Sequence, residues 1–356
     1  MLSVEMWTWL CAGIVVAGLC WAGVLNLRNW AGRRGIWDIP NERSAHARPV
    51  PTAGGAVLVA VVLPAFLLLS SLTDECLPRA VVYATGAALV AAVSLLDDLR
   101  GLPVWPRLVA YTIASVAAAR GVGSLDTAVS ALGGAAAPQW VSLVITVFWI
   151  LGMTNAFNFM DGIDGIAASQ AVLAGLTWCV LGWWEGLIGV GGLGCLVASA
   201  CLTFLLHNWS PARIFLGDVG STFLGYTFGV ITVMAAARNG VYALAGVMAV
   251  WPFLFDTIFT FCRRLFRGEN VFRAHRSHLY QRLVLTGLSQ KAVVLIYVAL
   301  ALLGSGLAFA CVPTSRLPML IAGVAIPMAA LGLWLAVILR ERRCIRSGAD
   351  QRAGLE

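Results

Sequence analysis

The chain has 356 residues, of which 60% are hydrophobic and 12% are charged, and its formal net charge is +7. About a quarter of the residues of a soluble globular protein are charged, so this composition excludes a soluble globule and predicts a polytopic membrane protein. The nine cysteines are scattered, mostly in apolar runs, without the CxxC spacing of a zinc site. Neither a zinc centre nor a disulfide framework is therefore expected.

Eleven apolar segments are long enough to cross a bilayer, which takes about 20 residues per helix. The sequence therefore predicts an all-α integral membrane protein with about 10–11 transmembrane helices. We expect residues 1–340 to form a single helical domain and 341–356 to form a basic tail. The weakest segment is 108–125, where Arg120 and several glycines dilute the end. The predicted spans are 6–26, 53–72, 79–96, 108–125, 139–158, 166–184, 186–206, 221–238, 241–262, 290–311 and 317–339.

Arginine is distributed unequally between the loops. If the amino terminus lies outside, 19 arginines fall on one side of the membrane and four on the other. Cytoplasmic loops are enriched in Arg and Lys, so the arginine-rich side is predicted to be cytoplasmic. Four polar segments fall on that side and can line one cavity at the membrane surface: SLLDDLRGL, NFMDGIDGI, RIFLGDVGS and RAHRSHLYQR.

The first polar segment ends the third span with Asp97 and Asp98, followed by Arg100. Two solvated carboxylates at a helix end would be an ordinary explanation. However, acidic groups at a helix carboxyl end oppose the helix dipole, and adjacent carboxylates repel each other. A metal ion or a basic partner would resolve both problems.

The second segment, NAFNFMDGIDGIA, carries two amides and two carboxylates at a spacing of three: Asn155, Asn158, Asp161 and Asp164. On a helix this spacing makes a slowly drifting polar stripe. The neighbouring glycines allow another group to approach the backbone closely. A simple polar connector is the alternative interpretation, but it does not explain the strict spacing.

The third segment, HNWSPARIFLGDVGS, places Asp218 directly after Gly217. Backbone N–H groups freed by glycine can face an anion, and Ser221 is expected to begin the next helix. Phe215 is an aromatic side chain that could stack on a base. A lone Asp-Gly turn would be the ordinary interpretation.

The fourth segment is a basic loop with arginines suited to phosphate oxygens and histidines that change charge near neutral pH. Its candidate residues are Arg273, His275, Arg276, His278 and Arg282. A topology signal alone is the alternative. Asp256 lies about two turns inside the preceding span, where a carboxylate is a functional candidate or the partner of an arginine nearer the helix end.

These motifs together resemble the polyprenyl-phosphate N-acetylhexosamine-1-phosphate transferase family (glycosyltransferase family 4). That family includes O-antigen-initiating transferases and the phospho-MurNAc-pentapeptide translocase. The resemblance covers roughly residues 30–285 and keeps the motifs in order. The matching segments are DD at 97–98, NAFNFMDGIDG at 155–165, FLGDVGS at 215–221, the histidine-containing loop at 275–278 and RSAHARPVPTAGG at 43–55.

The resemblance implies a Mg²⁺-dependent reaction, with Mn²⁺ as a substitute. A polyprenyl phosphate, expected to be undecaprenyl phosphate, attacks the β-phosphorus of a UDP-linked N-acetylhexosamine and releases UMP. It implies that Asp218 and Asp161 bind the metal and that Asp97 and Asp98 lie beside the lipid phosphate. Further catalytic positions would be Asp161, His275 and His278, and substrate-binding positions would be Asn155, Asn158, Asp164, Asn208, Phe215, Arg276, Arg282 and Arg48.

The expected partners are a UDP-sugar, the polyprenyl phosphate lipid and the membrane, with no nucleic acid; a homodimer is compatible with the pattern. The expected location is a bacterial inner membrane, with the active site on the cytoplasmic face. Two departures from the translocase favour a smaller sugar, as in lipopolysaccharide O-antigen initiation. Gly101 stands where the translocase has lysine, and His-Arg-Ser-His at 275–278 replaces three consecutive histidines.

Two other classes of protein carry comparable features. A proton- or sodium-coupled secondary transporter also uses intramembrane carboxylates, but it predicts sites near the bilayer midplane and an internal repeat. A CDP-alcohol phosphatidyltransferase gathers its aspartates in one continuous stretch, which this chain lacks.

Overall fold

The computed structural model describes residues 3–34, 37–38, 48–72, 77–133, 138–271, 275–312 and 316–353. Within these ranges the chain is almost entirely helical, and the two short strands pair antiparallel. The elements are α1 Val4–Arg34, β1 Trp37–Asp38, β2 Val50–Pro51, α2 Gly55–Leu72, α3 Leu77–Arg100, α4 Val104–Gly121, α5 Asp126–Gly133, α6 Gln139–Met160, α7 Ile166–Trp184, α8 Ile188–Asn208, α9 Gly217–Ala236, α10 Val241–Ala249, α11 Trp251–Phe266, α12 Leu279–Leu285, α13 Gln290–Cys311 and α14 Arg316–Ala353.

The predicted all-α membrane fold is confirmed. Among the described residues, nine helices are long and apolar enough to cross a membrane, and the pair α10–α11 makes a tenth if it counts as one broken span. Helix α4 corresponds to the weakest predicted span and is not one of the nine. Its two arginines, Arg107 and Arg120, lower the apolar character of an otherwise suitable 18-residue helix.

The segment 241–262 is not the continuous span predicted for it. Helix α10 ends at Ala249, and α11 begins at Trp251 after a bend of 79°. Pro252 lies at the start of α11. The missing N–H group of a proline is tolerated in the first turn of a helix, but a proline in the interior of a continued α10 would remove a backbone hydrogen bond. Helix α11, which carries Asp256, therefore runs in a different direction from α10.

Helix α9 lies at the centre of the helical bundle. In its apolar stretch 94% of the residues are buried, against 22% in each of the outer helices α1 and α14. Inside the bundle the hydroxyl of Ser94 bonds those of Tyr111 (2.7 Å) and Thr222 (2.8 Å). These bonds join α3, α4 and α9 one turn from the Asp97–Asp98 pair, so the scaffold fixes the helix ends that carry the polar motifs.

The expected boundary between the domain and its tail is not visible as a break in the chain. Helix α14 continues past residue 340 to Ala353. Its Glu341 bonds Arg282 of α12 at 2.6 Å, so the first part of the expected tail is packed against the basic loop.

Candidate active site

Helix α9 begins in a tight turn in which Gly217 has a φ of +75°. A Cβ atom at this position would lie 2.7 Å from Asp98 Oδ2, so glycine is required by both conformation and space. Asp98 accepts hydrogen bonds from the N–H groups of Asp218 (2.9 Å) and Val219 (3.0 Å). Such groups have no partner in their own helix, so Asp98 of α3 caps α9. The expectation that Ser221 begins this helix is wrong, because Ser221 lies one turn inside it.

Both carboxylate oxygens of Asp218 are bonded. Oδ2 accepts from Arg107 Nη1 at 3.0 Å, and Oδ1 accepts from Asn158 Nδ2 at 2.9 Å. The same Arg107 nitrogen bonds Asp97, whose other oxygen accepts from the N–H group of Leu102 at 2.6 Å. Four helices, α3, α4, α6 and α9, each contribute a side chain to this network. The basic partner expected for the Asp97–Asp98 pair is therefore present, and it is Arg107.

Asp161 lies in the loop that follows α6. No described residue donates a hydrogen bond to its carboxylate. Burial raises the pKa of the Asp161 carboxyl well above its usual value of 3.8. Three neighbouring carboxylates raise it further: Asp218, Asp98 and Asp164. A positive ligand beside Asp161 would relieve both causes.

The polar stripe predicted from Asn155 to Asp164 is split where α6 ends at Met160. Asn158 stays on the helix and reaches Asp218, whereas both aspartates lie in the loop. Asn155, almost one turn earlier, donates to the carbonyl of Leu151 in its own helix at 2.8 Å. The structure therefore does not bring Asn155 into the network.

Asp164 and Asn208 join the loop after α6 to the loop after α8. Asp164 Oδ2 accepts from the N–H group of Ala212 at 3.0 Å. The Asn208 amide accepts from the N–H group of Gly165 (3.0 Å) and donates to the carbonyl of Ile214 (2.9 Å). Both side chains are buried. The structure thus gives them a role in fixing the loops, and their expected contact with uridine stays a prediction.

Phe215 precedes the turn that begins α9, and its backbone bonds the segment that follows Arg48. The Phe215 N–H group donates to the carbonyl of Pro51 (2.8 Å), and its carbonyl accepts from the N–H group of Gly54 (2.9 Å). The segment after Arg48 is thereby packed against the start of α9. Arg48 itself is exposed. Residues 43–47 of the same motif lie outside the described residues.

The two histidines of the basic loop lie close together, although residues 275–278 are not helical. The ring centroids of His275 and His278 are 5.1 Å apart. His275 Nδ1 bonds the hydroxyl of Ser277 at 2.8 Å. The ring of His278 lies 6.2 Å from that of Phe159, near the end of α6. The loop therefore lies beside the end of α6, two residues before Asp161.

The arginines of this loop are placed differently. Arg282 donates two bonds to Glu341 of α14, from Nε at 2.8 Å and from Nη2 at 2.6 Å. Arg276 is half-buried, and Arg273 lies outside the described residues. Arg282 is thus paired with the extension of α14 that was predicted as a tail, and its expected contact with substrate stays a prediction.

Known proteins match this chain over the helices that build the site. A family model described as "Glycosyl transferase family 4" matches residues 80–236, which run from α3 to α9. The chain is 32% identical over 316 residues to the decaprenyl-phosphate N-acetylglucosaminephosphotransferase of Mycolicibacterium smegmatis, covering 79% of this chain and 77% of the relative. It is 30% identical over 266 residues to the probable undecaprenyl-phosphate N-acetylglucosaminyl 1-phosphate transferase of Bacillus subtilis, covering 74% and 73%. The undecaprenyl-phosphate alpha-N-acetylglucosaminyl 1-phosphate transferase of Escherichia coli is 27% identical over 296 residues, covering 78% and 77%.

The chain belongs to the polyprenyl-phosphate N-acetylhexosamine-1-phosphate transferases. The resemblance carried by the ordered motifs is thereby confirmed.

Two residues of this transferase's site were missed by the sequence reasoning. Arg107 stands near the start of a predicted span and close to Asp97 and Asp98, but in the sequence it is one of many arginines on the same side of the membrane. Tyr280 carried no sequence signal. Its hydroxyl donates to the carbonyl of Phe159 at 3.0 Å and so links the basic loop to the end of α6.

Proposed function

We propose that the protein transfers N-acetylhexosamine 1-phosphate from a UDP-sugar to a polyprenyl phosphate and releases UMP. N-acetylglucosamine is the sugar proposed first, because the three relatives are named for it. The observation that carries the proposal is the bonded network of Asp97, Arg107, Asn158 and Asp218 beside Asp161. Such a site can neutralise and orient two phosphate groups, which is what phosphoryl transfer requires.

In the proposed reaction an oxygen of the lipid phosphate attacks the β-phosphorus of the UDP-sugar. A bond forms between that oxygen and the β-phosphorus, and the bond to the oxygen bridging the α-phosphate breaks, so that UMP leaves. A phosphate monoester has its second pKa near ~6 and is largely a dianion at neutral pH. A strong base is not needed, and we assign Asp97 and Asp98 to orientation before proton removal.

Arg107 is the residue we assign to the acceptor phosphate. Its Nε atom is buried and has no partner among the described residues, which costs free energy until an acceptor bonds it. A planar guanidinium matches the oxygens of a phosphate group. Asp97 holds Arg107 in place, and Asp98 acts indirectly by fixing the start of α9.

The acidic residues fit a divalent cation, Mg²⁺ or Mn²⁺ in its place. In the part of the chain that the structure describes, no three Asp, Glu, His or Cys side chains form a closed metal site. Mg²⁺ commonly takes only one or two protein carboxylates, together with phosphate oxygens and waters. Asp161 and Asp218 would hold the ion, with Asn158 orienting Asp218. When bound, the ion would neutralise charge on the diphosphate.

We propose that the UDP-sugar lies across the basic loop and the loop after α8. His275, Arg276 and His278 are assigned to its sugar-phosphate end, and Phe215 to the uracil face. For Arg282 we propose support of the loop through Glu341 in place of substrate contact. The site is proposed to face the cytoplasm of a bacterial inner membrane, on the arginine distribution. O-antigen initiation stays our proposal for the pathway, since the relatives' names state no glycan.

A panel of UDP-sugars tests this function. Membranes containing the protein are supplied with undecaprenyl phosphate and Mg²⁺, and UMP release is measured for each sugar. The expected result is release that requires both the lipid phosphate and an N-acetylhexosamine donor, with UDP-N-acetylglucosamine fastest. Release that is independent of the lipid phosphate would contradict the proposal.

A further inference from the structure

Asp256 is a fully buried carboxylate in α11, away from the acidic network. A charged group inside a membrane protein is costly unless it is paired and hydrogen-bonded. The sequence left open whether Asp256 has a functional role or pairs with an arginine. The partners seen in the structure are neither arginine nor lysine side chains.

Five donors surround this carboxylate. Oδ1 accepts from the N–H group of Leu279 (2.8 Å), from Thr260 Oγ1 (3.1 Å) and from His278 Nδ1 (3.2 Å). Oδ2 accepts from the hydroxyl of Tyr297 (2.6 Å) and from the N–H group of Tyr280 (3.1 Å). With five donors on two oxygens, little capacity is left for a transported ion or a proton relay. Three of the five come from consecutive residues, His278, Leu279 and Tyr280.

Those three residues form the turn of the basic loop at the start of α12, and this turn lies beside the end of α6. Tyr280 bonds the carbonyl of Phe159, two residues before Asp161. A Cβ atom at Gly162 would lie 2.1 Å from the Tyr280 hydroxyl, so the motif's glycine admits this tyrosine. The turn is thus held at one end by Asp256 and at the other by the end of α6.

We propose that Asp256 is a positioning residue that fixes the ring of His278 for the transfer reaction. With Nδ1–H donating to Asp256, Nε2 is the ring atom left to donate to a phosphate oxygen of the UDP-sugar, which it does as an imidazolium N–H. A carboxylate on Nδ1 fixes the orientation of a histidine ring and stabilises the imidazolium that donates from Nε2.

This inference rests on the proposed function, and a double-mutant cycle tests it. Asp256→Asn, His278→Ala and the double variant are assayed for kcat and KM with UDP-N-acetylglucosamine and undecaprenyl phosphate. Losing a charge-assisted bond lowers kcat/KM roughly ten- to a hundredfold. We expect that loss for Asp256→Asn in the wild-type background and less than about threefold in the His278→Ala background, since the two residues act as a unit. Equal losses in both backgrounds would overturn the proposal.

Tyr297→Phe is the matched control. It removes one donor from the same carboxylate but leaves the bond to His278, so we expect a smaller loss than for Asp256→Asn. A loss as large as that of Asp256→Asn would show that the carboxylate serves the packing of α11 and α13 and not the histidine, which would also overturn the proposal.

The protonation site of His278 tests the same inference without turnover, and therefore separately from the proposed function. The wild-type protein is labelled with ¹⁵N-histidine, and the signals of His278 are assigned from their loss in His278→Ala. Protonated Nδ1 is the expected result. A neutral ring protonated on Nε2 alone would overturn the proposal even if the transfer reaction is confirmed, whereas protonated Nδ1 with no transfer activity would count against the proposed function only.

Discussion

Arg107 of α4 and Asp218 of α9 are 111 positions apart in the sequence and are joined by a 3.0 Å bond between Nη1 and Oδ2. Because the same nitrogen also bonds Asp97, one guanidinium on α4 determines how α3 and α9 present their carboxylates. The arrangement gives an acidic site with a cation already placed beside it.

Replacing Arg107 with glutamine should lower kcat/KM for the lipid acceptor roughly ten- to a hundredfold, because charge-assisted hydrogen bonds to phosphate are lost. The KM for the UDP-sugar should change much less. Steady-state kinetics with each substrate varied in turn measures the difference. Arg100→Gln is the control, since Arg100 is exposed on the preceding helix end. A larger change in the KM for the UDP-sugar than in the kcat/KM for the lipid acceptor would indicate that Arg107 contacts the UDP-sugar instead.

Asp218→Asn should lower turnover by about a hundredfold or more, because a metal ion contributes several kcal/mol of charge stabilisation. The variant keeps an acceptor for Arg107, so the protein should remain folded in the membrane. Turnover is compared with that of Asp126→Asn, whose carboxylate begins α5 and bonds Ser124. Near-normal Mg²⁺-dependent turnover of Asp218→Asn would refute the metal assignment.

The thermal stabilisation by Mg²⁺ should increase with pH through Asp161. The pKa of this carboxyl is raised in the folded protein by burial and by nearby carboxylates. Because the pKa of the Asp161 carboxyl is raised, this group stabilises the folded protein below the usual pKa of 3.8. That stabilisation is lost as pH rises through the pKa of the group in the folded protein. Mg²⁺ binding removes the proton or offsets the charge, so binding strengthens as pH rises.

The measurement is the shift in Tm caused by Mg²⁺ between pH 5 and pH 8, a window chosen to lie above the usual Asp pKa of about 4. Asp161→Asn should flatten the dependence, since an amide does not titrate there. The same slope in both proteins would mean that another group controls metal binding.

Glu341→Gln and Arg282→Gln should lower Tm by similar amounts, roughly a few degrees, because each leaves the other partner of the pair unmatched. The Arg282 side chain is largely buried and that of Glu341 is partly exposed, so we expect about 1 kcal/mol for the pair. Combining Arg282→Glu with Glu341→Arg should recover part of the loss. If only the Arg282 variants lost affinity for the UDP-sugar, with no effect at Glu341, Arg282 would be a substrate contact.

The sequence was sufficient for most of the spans, though not for α4 or the broken pair α10–α11, and for the gathering of the carboxylates. The length of the apolar segments predicts the helices, because few other structures can cross a membrane. Successive helices cross in opposite directions, which brings Asp97, Asn158 and Asp218 to one face of the membrane. The bend after Ala249 was missed because both sides of it are apolar, and Pro252 at a helix start gives a weak signal.

The remaining features depend on tertiary contacts that no local pattern encodes. The excess of arginine on one face hid the particular role of Arg107. The interpretation of Arg282 as a donor contact did not anticipate that α14 would bring Glu341 beside it. Asp256 was recognised as a candidate from its position alone, but its bond to His278 required the fold of α11 against α12.

The fate of the β-phosphate is the most direct test of the proposed transfer of a sugar phosphate. Membranes are incubated with UDP-N-acetylglucosamine carrying ³²P at the β-position, undecaprenyl phosphate and Mg²⁺, and the lipid and aqueous phases are separated. We expect ³²P to enter the lipid phase together with the sugar while unlabelled UMP appears in water. Transfer of the sugar to lipid with ³²P left in water as UDP would contradict it, because the bond broken would then be the glycosidic one.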